Sequence, residues 1–179
     1  VGYIDLSTLH DPAYGQTPPV GWGDQIDLNV KWLQGKPRAR IHLGANQTIP
    51  HATDTLLAFG PEDIDSHGFH NGGAPTQLKI PAGLDGHYRV SARVRWQQSG
   101  GGIQRRAALV VNNAVEMDED IKGPSAAEVT NYVSTLWFPA VGDYFTVRVY
   151  QDRGGDLDAL SSGYAGCFFE IEWVGKGVG

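Results

Sequence analysis

The stretch from His87 to Trp96 constrains this chain most. Tyr88, Val90, Ala92, Val94 and Trp96 fall on one parity, and His87, Arg89, Ser91, Arg93 and Arg95 on the other. A β-strand sends successive side chains to opposite faces, whereas a helix would scatter these residues around its circumference. The segment therefore predicts a strand with one face on a core and a cationic face turned to water or to acidic groups.

The same alternation recurs. Ala39, Ile41 and Leu43 alternate with Arg38, Arg40 and His42, Thr55–Phe59 reads as a short apolar strand, and Gln77–Ile80 as another. The run Ala107–Val111 ends at Asn112-Asn113, a tight-turn signal, so Ala114–Met117 should return as its hairpin partner. Thr130–Phe138 places Tyr132, Ser134, Leu136 and Phe138 on one side and Val133, Thr135 and Trp137 on the other. In Tyr144–Tyr150, Phe145, Val147 and Val149 oppose Thr146 and Arg148. Cys167, Phe169, Ile171 and Trp173 oppose Phe168, Glu170, Glu172 and Val174. Roughly eight to ten short strands with almost no helix between them predict an all-β antiparallel sandwich or jelly roll. No fixed-period repeat supports a propeller, and parallel strands would need crossover helices.

The first 37 residues read differently. Asp11-Pro12, Pro18-Pro19 and Gly21-Trp22-Gly23 describe an extended arm with little core of its own. Asp24 then caps a short amphipathic helix with Ile26, Val30 and Leu33 on one face, ended by Gly35 and Pro37. Helices this short are marginal alone, so that face must pack on the domain or on another copy. Two domains result: residues 1–37, arm and helix, and residues 38–179, a jelly-roll knob. The start at Val1 is read as a processed or trimmed end.

Charge and composition exclude several classes. The formal net charge of -6 argues against a nucleic-acid binder, which needs clustered positive charge. No apolar run approaches the roughly eighteen residues of a membrane helix, and no basic-then-apolar leader opens the chain. Cys167, the single cysteine, has no internal partner and sits in an apolar strand pattern, as a buried thiol does.

The best metal candidates are Glu62, Asp63, Asp65, His67 and His70. Asp, Glu and His at short spacing suit a metal, but no HExxH helix, EF-hand loop or paired-Cys motif accompanies them. A polar crossover loop is the reading adopted, with no metal, no cofactor and no catalytic residue assigned. A cupin-type enzyme would need ligands on two facing strands, and the spacing of His42 and His87 gives that no support. Asp118-Glu119-Asp120 reads as a solvated turn, Gly100–Gly102 as a mobile hairpin tip, and Ser161-Ser162-Gly163 lacks a nucleophile elbow. Tyr14, Trp22, Tyr144, Tyr150 and Tyr164 could stack on sugars, although strand tyrosines more often pack sheet edges or subunit contacts.

Three segments carry a family resemblance. Pro81–Val90 (PAGLDGHYRV), Phe138–Tyr150 (FPAVGDYFTVRVY) and the aromatic closing strand Cys167–Val174 follow one another in order, and Phe59–Asn71 (FGPEDIDSHGFHN) resembles an early crossover ending in a His-Gly turn. Together they resemble the trimeric jelly roll of the complement globular-head and tumour-necrosis-factor-like superfamily, in the version at the ends of bacteriophage tail and head fibres. The resemblance spans about three quarters of the chain and rests on Gly86, Tyr88, Gly142, Asp143 and Phe169. Tyr3–Leu33 is similar to the leader of small phage virion proteins. There is no collagen-like stalk, and the disulfides of some secreted relatives are absent.

The resemblance implies a non-enzymatic virion protein on the particle surface. It would be a homotrimeric tail or head knob for host attachment, held to other virion proteins through Trp22, Ile26, Val30 and Leu33. Its outward partner would be a wall polysaccharide or surface receptor, met through loops such as Gln97–Gln104 and Asp152–Ser162. Capsid or tail decoration without a receptor is the alternative within that class, and a metal-dependent lectin or jelly-roll enzyme the alternative outside it. In an acidic trimer, Arg89, Arg93 and Arg95 should meet carboxylates of neighbouring strands or subunits.

Overall fold

A computed structural model describes residue 30 and residues 35–162 and 165–176. The chain divides into two compact units, Val1–Lys36 and Pro37–Gly179. In the first, Val30 is helical and exposed. Residues 1–29 and 31–34 of the expected arm and helix, including Trp22, Ile26 and Leu33, lie outside the described residues, as does Tyr164.

The second unit is an antiparallel two-sheet jelly roll. The first sheet orders β2 (Gln47–Ile49), β11 (Leu157–Ala159), β6 (His87–Trp96), β12 (Phe168–Gly175), β1 (Arg38–His42) and β4 (Glu62–Asp65), with β9 (Val129–Trp137) along the other side of β6. The second orders β3 (Thr55–Leu56), β10 (Tyr144–Gln151), β7 (Arg105–Val111) and β8 (Val115–Lys122), with β5 (Leu78–Lys79) also on β10.

The period-two reading holds residue by residue along the central strand. The central strand β6 spans His87–Trp96, and all five residues of its apolar parity are buried. Ala39, Ile41 and Leu43, then Phe145, Val147 and Val149, then Cys167, Phe169, Ile171 and Trp173 complete the facing layers. Each large side chain so enclosed contributes roughly 1.5–3 kcal/mol relative to exposure. Phe59 lies against Phe169 at 5.5 Å and Phe69 edge-on to Tyr88 at 5.9 Å, joining loop residues to the strands.

The hairpin β7–β8 turns at Asn112 (φ 52°) and Asn113 (φ 53°), with the Ala114 N–H donating to the Val111 carbonyl at 3.0 Å. Two left-handed residues in succession suit the strand twist, and asparagine tolerates that region best after glycine.

The twelve strands among the described residues exceed the eight to ten expected, because β2, β4 and β11 are too short for their alternation to show. Thr55–Phe59 is ladder-paired only at Thr55–Leu56, and Gln77–Ile80 only at Leu78–Lys79; Leu57, Phe59 and Ile80 are core residues beyond the paired segments. The return strand β8 continues past Met117 to Lys122, so Asp118-Glu119-Asp120 lies within a strand and not in a turn.

A polar network fills one end of the core. The Trp96 indole donates to Asn131 Oδ1 at 2.7 Å, and Asn131 Nδ2 donates to the carbonyls of Arg105 (3.2 Å) and Asp120 (3.0 Å). Arg105 is 1% exposed, and its guanidinium donates to the carbonyls of Gln104 and Gly101. Burial lowers its pKa, an effect opposed by Asp152. Satisfying these groups internally avoids the cost of leaving buried polar atoms unpaired.

Candidate functional site

The expected metal cluster separates once its partners are traced. Both Asp65 oxygens accept backbone N–H groups: Oδ1 from His67 (3.2 Å), Gly68 (2.8 Å) and Phe69 (3.0 Å), and Oδ2 from His70 (2.8 Å). Gly68 makes this wrap possible with φ +76°. Asp63 turns to Arg40 (3.3 Å) and His42 (3.1 Å), Glu62 to His70 Nδ1 (2.8 Å), and His67 to the Ser66 hydroxyl (2.8 Å). The five side chains thus serve as a loop cap, an ion pair with Arg40, carboxylate–imidazole contacts and a hydroxyl contact. Among the described residues, no three His, Cys, Asp or Glu side chains are grouped to hold a metal. His42, beside Asp63, and His87, 5.0 Å from the Phe138 ring, are not brought together.

Cys167 is buried, between the Arg95 N–H at 3.2 Å and the Arg95 carbonyl at 3.6 Å. Burial pushes its thiol up to about 11 from 9.0, the opposite of what a nucleophile requires.

The outer face of the first sheet carries an ordered array of side chains. Across β1, β12, β6 and β9 the register sets three rows: Arg38, Glu172, Arg89 and Leu136; Arg40, Glu170, Ser91 and Ser134; His42, Phe168, Arg93 and Tyr132. Glu170 accepts from Arg40 at 3.2 Å and from the Ser91 hydroxyl at 2.7 Å. The Phe168 ring lies under the Arg40 and Arg93 guanidinium groups, at 4.1 and 4.8 Å. The middle is a groove of about 270 Å³ lined by Arg38, Arg40, Arg89, Ser91, Glu170 and Glu172. Along β9 the face carries exposed apolar side chains on either side of Ser134: Tyr132 is 58% exposed and Leu136 59%, and Phe138, just beyond the strand, is 54% exposed.

Of the expected cationic side chains, Arg95 pairs with Glu128, Arg93 donates to the Gly166 carbonyl at 2.9 Å, and Arg89 stands opposite Glu172. A carboxylate of the same chain therefore meets Arg95, and Glu172 is the register neighbour of Arg89 on the adjacent strand.

The family-motif positions are structural in character. Gly86 has φ +149°, and a Cβ there would lie 2.2 Å from the Trp173 indole nitrogen. Tyr88 donates its buried hydroxyl to the Leu84 carbonyl at 2.6 Å, and burial, then Asp85, raises its pKa. Gly142, at φ +92°, donates its N–H to the Ile80 carbonyl, while Asp143 accepts from Ala140 N–H and Asn112 Nδ2, both at 2.8 Å. Phe169 is wholly buried.

The glycine run is not the loose tip expected. The Asp152 carboxylate accepts the N–H groups of Gln104 (2.9 Å) and Ile103 (2.7 Å), which lower its pKa, and a Cβ on Gly102 would meet it at 2.6 Å. Gln97 N–H also donates to the Asp158 carbonyl at 2.9 Å. The two loops nominated for attachment thereby form one pinned end, from which Ile103 projects 80% exposed.

Sequence reasoning missed the junction of β8 with β9. Asp118 Oδ2 accepts the Ser134 N–H (2.7 Å), Asp120 Oδ2 the Tyr132 N–H (3.0 Å), and Lys122 Nζ donates to the Thr130 carbonyl (2.7 Å). The alternation of Asp118, Asp120 and Lys122 was the available signal. Tyr144 and Tyr150, the described members of the sugar-stacking set, are half-buried, and Tyr150 lies 5.6 Å beneath the Arg106 guanidinium.

No family profile and no curated protein matches this sequence. Solved structures do. Murine APRIL (crystal structure at pH 5.0) superposes with a TM-score of 0.60 at 10% identity, covering 78% of this chain and 99% of that one. Eiger TNF from S. frugiperda gives 0.60 at 14% identity, covering 80% and 96%. The globular domain of zebrafish complement 1qA protein gives 0.53 at 11% identity, covering 79% and 100%. The likeness is one of fold: a tumour-necrosis-factor and C1q-like jelly roll.

Proposed function

We propose that this chain is a non-enzymatic, homotrimeric surface knob of a bacteriophage particle, fastened through its N-terminal unit and presenting its pinned loop end to the host. The observation that carries self-association is the apolar strip of Tyr132, Leu136 and Phe138 beside a charged face. Contiguous exposed apolar surface marks contact sites, and subunit interfaces resemble a core cut in half. The sequence resemblance to a trimer-forming superfamily supports the number three. The motif order and the arm-like leader support the virion setting.

The absence of chemistry in this reading rests on commitment of the reactive groups. Asp65 is used on the backbone, Asp63 on Arg40 and His42, and the Cys167 thiol is buried. Mass measurement in solution tests the assembly: a trimer is expected, and a stable monomer at micromolar concentration overturns it. Removal of residues 1–33 should abolish incorporation into particles while leaving the knob folded.

Decoration without attachment is the second reading. The pinned end formed by residues 97–104 and 152–162 favours attachment, because a preorganised surface loses little entropy on binding. Isolated knobs should bind host cells, and binding to particles alone would favour decoration. Stoichiometric metal in purified protein would instead favour the lectin or enzyme class.

A further inference from the structure

We infer that Asn71 is a site of spontaneous covalent modification, losing its side-chain amide through attack by the backbone nitrogen of Gly72. Of the six asparagines, Asn71 is the one followed by glycine; the others precede Val30, Gln47, Asn113, Ala114 and Tyr132. Both Asn71 and Gly72 are exposed, and the position of a Cβ on Gly72 has no neighbour within 4 Å. The attacking nitrogen is therefore screened neither by its own side chain nor by packing.

The local geometry favours the carbonyl as electrophile. The Gly73 N–H donates to Asn71 Oδ1 at 2.9 Å, so it polarises the Cγ–Oδ1 bond and faces the oxygen on which charge develops. The Asn71 amide nitrogen, the leaving group, has no hydrogen-bond partner among the described residues. The contrast with other sites is sharp. Asn112 Nδ2 is held by Asp143 at 2.8 Å, and Asn131 is buried with Nδ2 on two carbonyls. Asn46 and Asn113 carry hydrogen bonds to Ser161 and Thr146, and each precedes a residue with a Cβ.

The step balances with water alone. The Gly72 nitrogen gives its proton to hydroxide and bonds to Asn71 Cγ, the Cγ–Nδ2 bond breaks, and the nitrogen leaves as ammonia after taking a proton from water. Water then opens the cyclic imide at either carbonyl, leaving aspartate or isoaspartate. Either product places a new carboxylate on the rim of a cavity that Asn71 shares with Lys79, Phe69, Pro81 and Val141. The isoaspartyl form also inserts an atom into the turn in which Ala74 N–H donates to the Asn71 carbonyl at 2.7 Å.

Purified full-length protein held in warm, mildly alkaline buffer and sampled by peptide mapping provides the test. The peptide containing Asn71 should gain about 1 Da before any other asparagine peptide, split into two isomers on chromatography, and release ammonia stoichiometrically. Gly72→Ala should slow conversion about tenfold or more, and Asn71→Gln should remove the early ammonia. Conversion that begins at any other asparagine, or a Gly72→Ala rate equal to that of the parent, overturns the assignment.

Discussion

The Asp120 carboxylate accepts the backbone N–H of Tyr132 at 3.0 Å, so a side chain of one sheet satisfies the edge of the other. Asp118 does the same for Ser134, and Lys122 serves the Thr130 carbonyl. Each step of two along β8 is matched by a step of two back along β9. The result is an antiparallel seam in which side chains replace one side of a backbone ladder. Because β9 has only β6 as a ladder partner among the described residues, this seam occupies groups that would otherwise invite another strand.

Replacing Asp118 or Asp120 by Ala should therefore lower stability by about 1 kcal/mol each, and the double variant should associate through the freed edge. Urea unfolding and light scattering measure the two effects. Unchanged midpoints together with unchanged scattering would refute the edge-capping role.

Gly86 and Gly83 separate crowding from backbone strain. Both have positive φ, but a Cβ at Gly86 would strike Trp173 and the Gly175 carbonyl, whereas at Gly83 it meets nothing within 4 Å. Gly86→Ala should cost about 3 kcal/mol or more, and Gly83→Ala about 1–2 kcal/mol. Equal costs in chemical denaturation would show that the Trp173 contact yields easily.

Cys167 should make the fold sensitive to alkali. Its thiol ionises at about 11 in the folded state against 9.0 ordinarily, so the unfolded chain gives up this proton first. Its contribution is complete below pH 9 and is lost as pH rises toward 11, at about 1.4 kcal/mol per pH unit. Stability of Cys167→Ala, followed over the same range, should lack this decline. Tyr88 contributes in the same direction, starting from 10.0, and is common to both proteins. Parallel pH profiles would contradict the prediction.

Leu136→Glu and Tyr132→Glu address the apolar strip. Both side chains are more than half exposed, so substitution should move monomer stability by no more than about 0.5 kcal/mol. Self-association should be lost. A variant that keeps the parent's mass in solution would place the subunit contact elsewhere.

Much of the fold was legible because alternation is written within a single strand. His87–Trp96, Tyr144–Tyr150 and Cys167–Trp173 each name their buried face without reference to any partner. The asparagine pair at the β7–β8 turn was equally local. The short strands β2 and β11 were not, since three residues carry too little alternation. The acidic run at 118–120 was misread because its sequence has turn-like polarity, while its structural role depends on N–H groups of β9 a dozen or more residues further on.

The candidate site shows the same division. Glu62, Asp63, Asp65, His67 and His70 look like a ligand set when composition and spacing are all that is considered. Folding assigned Asp65 to four amides, Asp63 to Arg40 and His42 across the β1–β4 pair, and Glu62 to His70.

By itself the sequence determined an all-β chain, the core parity of its long strands, and the cationic parity of β6, because side-chain direction repeats every two residues. Only the tertiary structure decided which strands are neighbours, which carboxylates are committed to backbone amides, and that β8 closes over β9. Those outcomes depend on groups far apart in the chain meeting at hydrogen-bond distance, which periodicity does not encode.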